Sequence, residues 1–304
     1  MPRLAYRSTG VASEGLSSSL ATPVCLSSYL SIHCVRPSMP AILCHALSKT
    51  YGHGFWRLQR KVALANFSLD VARGEVFGIV GPNGAGKSTA LKILMGLVRP
   101  TSGSAQILAM PASDPACHAH LGYLPENPSL YKKLTISEHL HFAGQLAQMP
   151  SKVIRSRTAE LLALVDLPLA ARIPIQRFSK GMTQRAALAY ALFTDPEILI
   201  LDEPMSGLDP LGRQLVLEII RHCHNQGKTI LFCSHILTDV ERICSRIGIM
   251  HRGTLVAQTT PAELAQQVSA SAPASSATPL ERLFLATVQK GVVPEGEQGE
   301  GHAV

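Results

Sequence analysis

The run Gly81-Pro82-Asn83-Gly84-Ala85-Gly86-Lys87-Ser88 is the stretch of this chain best suited to chemistry, because its residue types and spacing match a phosphate-binding loop. Gly84 and Gly86 let backbone N–H groups converge on phosphate oxygens without side-chain interference. The short apolar run Glu75–Val80 leads into the loop as a strand, and Lys87–Leu97 leaves it with helical spacing. A helix N-terminus placed there adds unpaired donors and a partial positive charge. Lys87 can reach β- and γ-phosphates, the Ser88 hydroxyl can ligate Mg²⁺, and Gly81, Pro82, Asn83, Ala85 and Thr89 complete the cradle. A Gly-rich turn alone is often just a tight loop. The full eight-residue match between a strand and a helix is what points to phosphate.

A second constellation supplies what a phosphate cradle lacks. Ile198-Leu199-Ile200-Leu201-Asp202-Glu203 is an apolar strand ending in two acids. Open α/β sheets bind ligands at the carboxyl ends of their strands. Asp202 suits the shell of a hard cation that wants oxygen ligands, and Glu203 can orient or deprotonate an attacking water. Alone, such a pair reads as a surface acid cluster closing a strand; beside the loop it reads as the hydrolytic half of a site.

The elements that must position these residues follow from the rest of the chain. It has 304 residues with 46% hydrophobic and 16% charged, a globular composition large enough for a sizeable core. No apolar run reaches the roughly 18 residues of a membrane-spanning helix, so any transport function requires another polypeptide. The formal charge of +7 comes from scattered Lys and Arg without a polybasic block, which reads as a solvated surface, and no nucleic acid is expected as a partner. Cys25, Cys34, Cys44, Cys117, Cys223, Cys233 and Cys244 show no zinc or redox spacing and read as buried or free thiols in a reducing compartment. His33, His45, His222 and His224 lie near them and read as structural, not as a metal cluster.

Strand and helix patterns alternate from Ala41 onward, which argues α/β with a mostly parallel sheet. Thr135 and Glu138 form a capping box, followed by Ile136, Leu140, Ala143 and Leu146 at helical intervals. Ser151 is expected to cap a second helix that buries Ile154, Leu161, Leu162 and Val165. Strands return at Ile198–Leu201 and Thr229–Cys233, separated by a helix that Asp209 and Pro210 start. Residues 1–38 are Ser-rich with Arg3, Arg7 and Arg36. They read as an extension preceding a translation start at Met39, with a transit peptide as the alternative. After Val268 come a Ser/Ala/Pro linker, a short amphipathic helix over Pro279–Val288 and an acidic tail.

Further residues give the sequence its resemblance. Phe178-Ser179-Lys180-Gly181-Met182 resembles the Ser-Gly-Gly-Gln type motif of ATP-binding cassette (ABC) ATPases, with Lys180 for the first glycine and Met182 for the glutamine. Ser206-Gly207-Leu208-Asp209 resembles the family's dimer-contact loop, and His235 resembles its switch histidine. Tyr51 resembles the aromatic that stacks on adenine, with Phe55 and Trp56 close by in sequence. Glu126 stands where many members carry glutamine, keeping an oxygen for Mg²⁺ or water and adding charge.

The resemblance runs from about Ala41 to Leu264 in family order. It implies a P-loop ATPase of ABC type, with a mixed central sheet and a helical subdomain over about 126–195 inserted between the loop and the acidic strand. The domain is expected over 39–265, with linker, helix and tail over 266–304. ATP and Mg²⁺ are the implied cofactors. Glu203, His235 and Lys87 are the implied catalytic residues, and Ser88, Glu126 and Asp202 the metal-binding ones. Ser179 and Gly181 are implied to close over the nucleotide of a second copy, in a homodimer with two active sites. The partner is a separate transmembrane permease, which places the protein peripherally at the cytoplasmic face of the membrane. The variant motif, Glu126 and Ser234-His235-Ile236-Leu237 resemble the branch that pairs with ABC-2 type permeases, usually exporters. The main competing class is a non-transport ABC ATPase acting on ribosomes or DNA, which usually carries two cassettes or long coiled coils. A catalytically dead cassette is disfavoured by the presence of Lys87, Asp202, Glu203 and His235.

Overall fold

The structure is a computed structural model and describes residues 39–53, 59–269 and 278–290. The expectations for the segment before Met39, for Phe55 and Trp56, for most of the Ser/Ala/Pro linker and for the acidic tail lie outside the described residues.

Two sheets organise the described chain. The first is antiparallel, in the order β2 (Gln59–Val71), β1 (Ile42–His53), β4 (Ser102–Ile107), β5 (Met110–Pro111). The second carries β3 (Val76–Val80), β6 (Leu121–Leu124), β7 (Ile198–Asp202), β8 (Thr229–Ser234), β9 (Arg246–His251) and β10 (Thr254–Thr259). Its order is β10-β9-β3-β8-β7-β6, parallel throughout except for the antiparallel β9–β10 hairpin. The sequence reading anticipated the mixed second sheet. It did not anticipate the separate antiparallel one, whose strands are joined by long-range pairs with several register shifts.

The parallel strands read as uninterrupted apolar runs because both of their faces are covered. Their side chains divide between two cores with period two. Val76, Val80, Leu199, Leu201, Ile230 and Phe232 face a cluster shared with helices. Phe77, Ile79, Ile198, Ile200, Leu231 and Cys233 face a cluster shared with α1 (Lys87–Leu94) and the antiparallel sheet. Burial drives the Cys44 thiol to about 12 and raises that of Cys233 well above its ordinary value, so these cysteines act as apolar packing groups.

The helical face comprises α2 (Ile136–Leu146), α3 (Ser151–Leu164), α4 (Lys180–Leu192), α5 (Pro210–Asn225) and α6 (Leu237–Ile243). The capping box of α2 is present: Thr135 Oγ1 accepts from the Glu138 N–H and Glu138 Oε2 accepts from the Thr135 N–H. Leu146 closes α2 as its spacing implies, but it is 66% exposed, because the last turn of α2 runs past the core that takes Ile136, Leu140 and Ala143. The start of α3 differs from expectation. Ser151 does not cap α3. Pro150, with φ −60° and ψ 140°, supplies the extended entry, so Ser151 already has helical geometry and its side chain makes no cap bond. Similarly, α1 stops at Leu94 rather than Leu97, where Gly96 takes a left-handed φ of 65° and ends the helix. Beyond β10, α7 (Pro261–Ser269) is followed by α8 (Pro279–Lys290), whose Leu280 is fully buried and donates its N–H to Glu241 Oε1 at 2.7 Å.

One turn ties the two sheets together. At the β9–β10 hairpin, the Gly253 N–H donates to Ala85 O at 2.8 Å, and its carbonyl accepts from the Ala65 N–H of β2 at 3.0 Å. Gly253 has φ 84°, and a Cβ there would press on Ala63 O and Leu64 Cα at 2.9 Å. Gly253→Ala is therefore expected to destabilise the protein by about 1–3 kcal/mol, the range for a non-glycine residue forced left-handed. A urea unfolding midpoint equal to that of the unsubstituted protein would contradict this.

Candidate functional site

The carboxyl ends of β3, β7 and β8 finish at one level. Val80 pairs with Ser234, and Asp202 with Cys233. β6 runs parallel to β7 with Leu124 opposite Leu201, which delivers Glu126 two residues later to the same end. The loop from Gly81 to Gly86 leaves β3 there and opens α1.

Within the loop the glycines have distinct jobs. Gly84, with φ 81°, has open space where a Cβ would sit. Gly86, with φ 106°, has none, because a Cβ would strike the Ala63 carbonyl of β2. A Cβ at Gly81 would strike the Met250 carbonyl of β9, so Gly81 is required by packing and does not line the cleft. The Lys87 side chain is only 7% exposed and turns back into the loop, donating to Gly81 O at 2.6 Å and Pro82 O at 3.4 Å. Its ammonium is thus held against the carbonyls at the start of the loop.

Across from it lie the acids. Asp202 is 3% exposed, and its Oδ1 is buried without a hydrogen-bond partner. Burial pushes its carboxyl above the usual aspartate range. The Ser88 hydroxyl pulls the other way, the charges of Glu126 and Glu203 add to the rise, and Lys87 opposes it. A partnerless buried oxygen beside a serine hydroxyl and a second carboxylate is a hard-oxygen donor set that fits Mg²⁺. Glu203 is 7% exposed and held at a left-handed φ of 51°, a conformation that strains a glutamate. Its N–H donates to Cys233 O at 3.0 Å, and its Oε2 accepts from His235 Nδ1 at 2.8 Å. The strand-to-turn kink thus aims the carboxylate at the histidine that follows β8.

These residues share one cleft of about 760 Å³, lined by residues 82–89 of the loop together with Tyr51, Glu126, Asp202, Glu203 and His235. Tyr51 sits on β1, with the Lys49 ammonium 5.2 Å from its ring centroid. Sequence reasoning missed Lys61, Ala63, Lys92 and Val98, which also line the cleft. The helical spacing from Ser88 to Lys92 was a usable signal; the strand pairing that brings in Lys61 was not.

Ser179 and Gly181 do not line this cleft. Ser179 is exposed at the N-cap of α4, its Oγ accepting from the Met182 N–H at 3.1 Å, and Gly181 follows in the first turn. The Lys180 side chain lies across Gly207, whose φ is 72°. Gln184, two residues beyond the motif, is 2% exposed and donates to Glu203 O at 3.4 Å and Pro204 O at 3.3 Å. A single helix therefore presents Ser179 outward and props the Glu203 backbone inward.

The raised carboxyl of Asp202 has a stability consequence. Ionising a group whose folded pKa exceeds its unfolded one weakens the fold. That cost is fully present above the folded value and disappears below the ordinary aspartate range. Asp202→Asn is expected to raise the Tm of the ligand-free protein near neutral pH, with the gain shrinking as pH falls toward about 4. Scanning calorimetry at both pH values checks this; a lower Tm for the variant at neutral pH contradicts it.

The family model described as ABC transporter matches residues 64–206. An uncharacterized ABC transporter ATP-binding protein of Nostoc sp. is 50% identical over 220 residues, covering 72% of this chain and 66% of that protein. Another, of Synechocystis sp., is 47% identical over 220 residues, covering 72% of this chain and 62% of its own length. The chain thus spans just under two thirds of the length of these cyanobacterial relatives. The Nod factor export ATP-binding protein I of Ralstonia nicotianae is 34% identical over 229 residues, 75% of this chain and 69% of that protein. Among solved structures, the ATP binding subunit of an ABC transporter superposes with TM-score 0.70 at 30% identity, covering 81% of this chain and 99% of that one. A cassette described as dimeric, in a post-hydrolysis state bound to ADP and Pi, superposes with TM-score 0.66 at 26% identity over 72% of this chain and 98% of its own. By the extent of these matches, and with its Gly-rich loop, acidic strand and His235 gathered in one cleft, the chain belongs to the ATP-binding proteins of ABC transporters.

Proposed function

We propose that the protein binds and hydrolyses ATP with Mg²⁺, as the motor of an exporter whose membrane-spanning permease, of ABC-2 type, is a separate chain. The observation that carries this reading is the single cleft that joins Lys87 and the loop amides to Asp202, Glu203 and His235. Lys87 moves from its loop carbonyls to the β- and γ-phosphates, and Ser88, Glu126 and Asp202 hold the cation. Bound there, Mg²⁺ neutralises phosphate charge. Glu203, fixed by His235, orients the attacking water and takes its proton, while His235 faces the γ-phosphate. Tyr51 stacks on adenine.

The positions of exposed Ser179 and half-buried Gly181, away from their own chain's cleft, support a head-to-tail homodimer in which each copy completes the other's site. The dimeric state of the similar solved cassette supports it too. The loop Ser206–Asp209 then lies at the seam. Among the described residues no helix is long and apolar enough to cross a membrane. Membership of the ABC transporter ATP-binding proteins supports work at the cytoplasmic membrane face through a permease. The docking surface is the groove of about 610 Å³ between α2 and α3, where Phe142 is exposed beside His141, Arg155 and Arg172. The similarity to the Nod factor export ATP-binding protein I of Ralstonia nicotianae supports export.

Glu203→Gln is expected to keep ATP binding, to slow phosphate release by about a hundredfold or more, and to accumulate as an ATP-bound dimer. Unchanged turnover would remove Glu203 from its role, and a mass corresponding only to a heterodimer with a second ATPase would remove the homodimer. Phe142→Asp, by contrast, is expected to leave ATP binding intact while abolishing co-purification with a multi-helix membrane protein from gently solubilised membranes. Undiminished co-purification would move the docking surface elsewhere.

A further inference from the structure

The cleft contains two cations that no motif accounts for. Lys61 lies on β2 as the cross-strand partner of Tyr51 in the antiparallel ladder. Lys92 lies on α1, four residues after Ser88 and three after Thr89, hence on the same helix face and one turn further along. Both line the cleft, and both side chains are exposed. Neither makes a side-chain hydrogen bond or an ion pair among the described residues. A single exposed lysine is ordinary surface. Here two flank a concave site from different elements, where fields of one sign are concentrated.

Their place along the cleft tells them apart from Lys87. Lys87 and Ser88 sit at the strand end, with Asp202, Glu203 and His235. One helical turn, about 5.4 Å, carries the lining from Ser88 to Lys92. Lys61 enters from the sheet beside Tyr51. A nucleotide with its terminal phosphates on Lys87 and its base on Tyr51 would run along a cleft whose lining includes Lys61 from β2 and Lys92 from α1.

We propose that Lys61 and Lys92 are a second cation pair that grips the α-phosphate end of the nucleotide, the part common to ATP and ADP. This rests on the ATP reading above. Contacts to that end are equal for substrate and product, so the pair sets how tightly both are held without telling them apart. Discrimination of the γ-phosphate is left to the strand end of the cleft and to the partner's Ser179 and Gly181.

The test is equilibrium binding of ATP, ADP and adenosine to the intact chain and to K61Q, K92Q, the double variant and the conservative K61R and K92R, with melting temperatures to verify folding. Each glutamine is expected to weaken ATP and ADP by the same factor, about two- to fivefold, the range for one exposed charge pair. Added salt should narrow the difference, arginine should restore affinity, and adenosine should be unaffected. Loss for ATP alone, equal loss for adenosine, or no loss for either nucleotide would overturn the proposal. If the unsubstituted chain bound neither nucleotide, the ATP reading itself would fall.

Discussion

The parallel ladder of β3, β8 and β7 fixes where everything else must go. Its hydrogen bonds place Val80 beside Ser234 and Asp202 beside Cys233, so the three strands release their loops at one level. A one-residue slip in such a ladder would turn every side chain to the opposite face. The apolar runs forbid that slip, because the two cores on either side take alternate residues of each strand. Register is therefore held by bulk burial, and chemistry inherits its geometry from that register. Lys87, Asp202, Glu203 and His235 need no contacts of their own to find one another.

The site draws on that stability. Glu203 occupies a left-handed backbone conformation, Asp202 keeps a buried oxygen without a partner, and Gly86 leaves no room for any side chain. Each is unfavourable in isolation. They persist because the surrounding elements are fixed independently: the Glu203 backbone by Cys233 and Gln184, and the loop by the Gly253 bridge to Ala85. In the reading proposed above, a cation and a nucleotide bound there would add to the stability of the fold.

How much of this was readable depended on the range of the interactions. The loop, the acidic strand and the capping box of α2 were legible because their chemistry is contained in consecutive residues. The α/β alternation was legible from the buried strands for the same reason. Lys61 was not, since its pairing with Tyr51 crosses a ladder with register shifts that no local pattern encodes. Gly253 drew no notice in the sequence, because its importance comes from β2 and the Gly-rich loop, both distant along the chain. The error at Ser151 was of another kind, since local propensity yielded there to a proline entry.

The double duty of α4 carries a genetic consequence. Ser179 heads this helix on the outer surface, while Gln184, one turn further in, holds the Glu203 backbone of the same chain. In the dimer proposed above, a lesion in one α4 therefore injures two sites belonging to different molecules. A cell carrying both an intact and a damaged allele would build mixed pairs in which the healthy copy is disabled by its neighbour. Faults in this helix should behave as dominant, whereas faults confined to the core should be recessive.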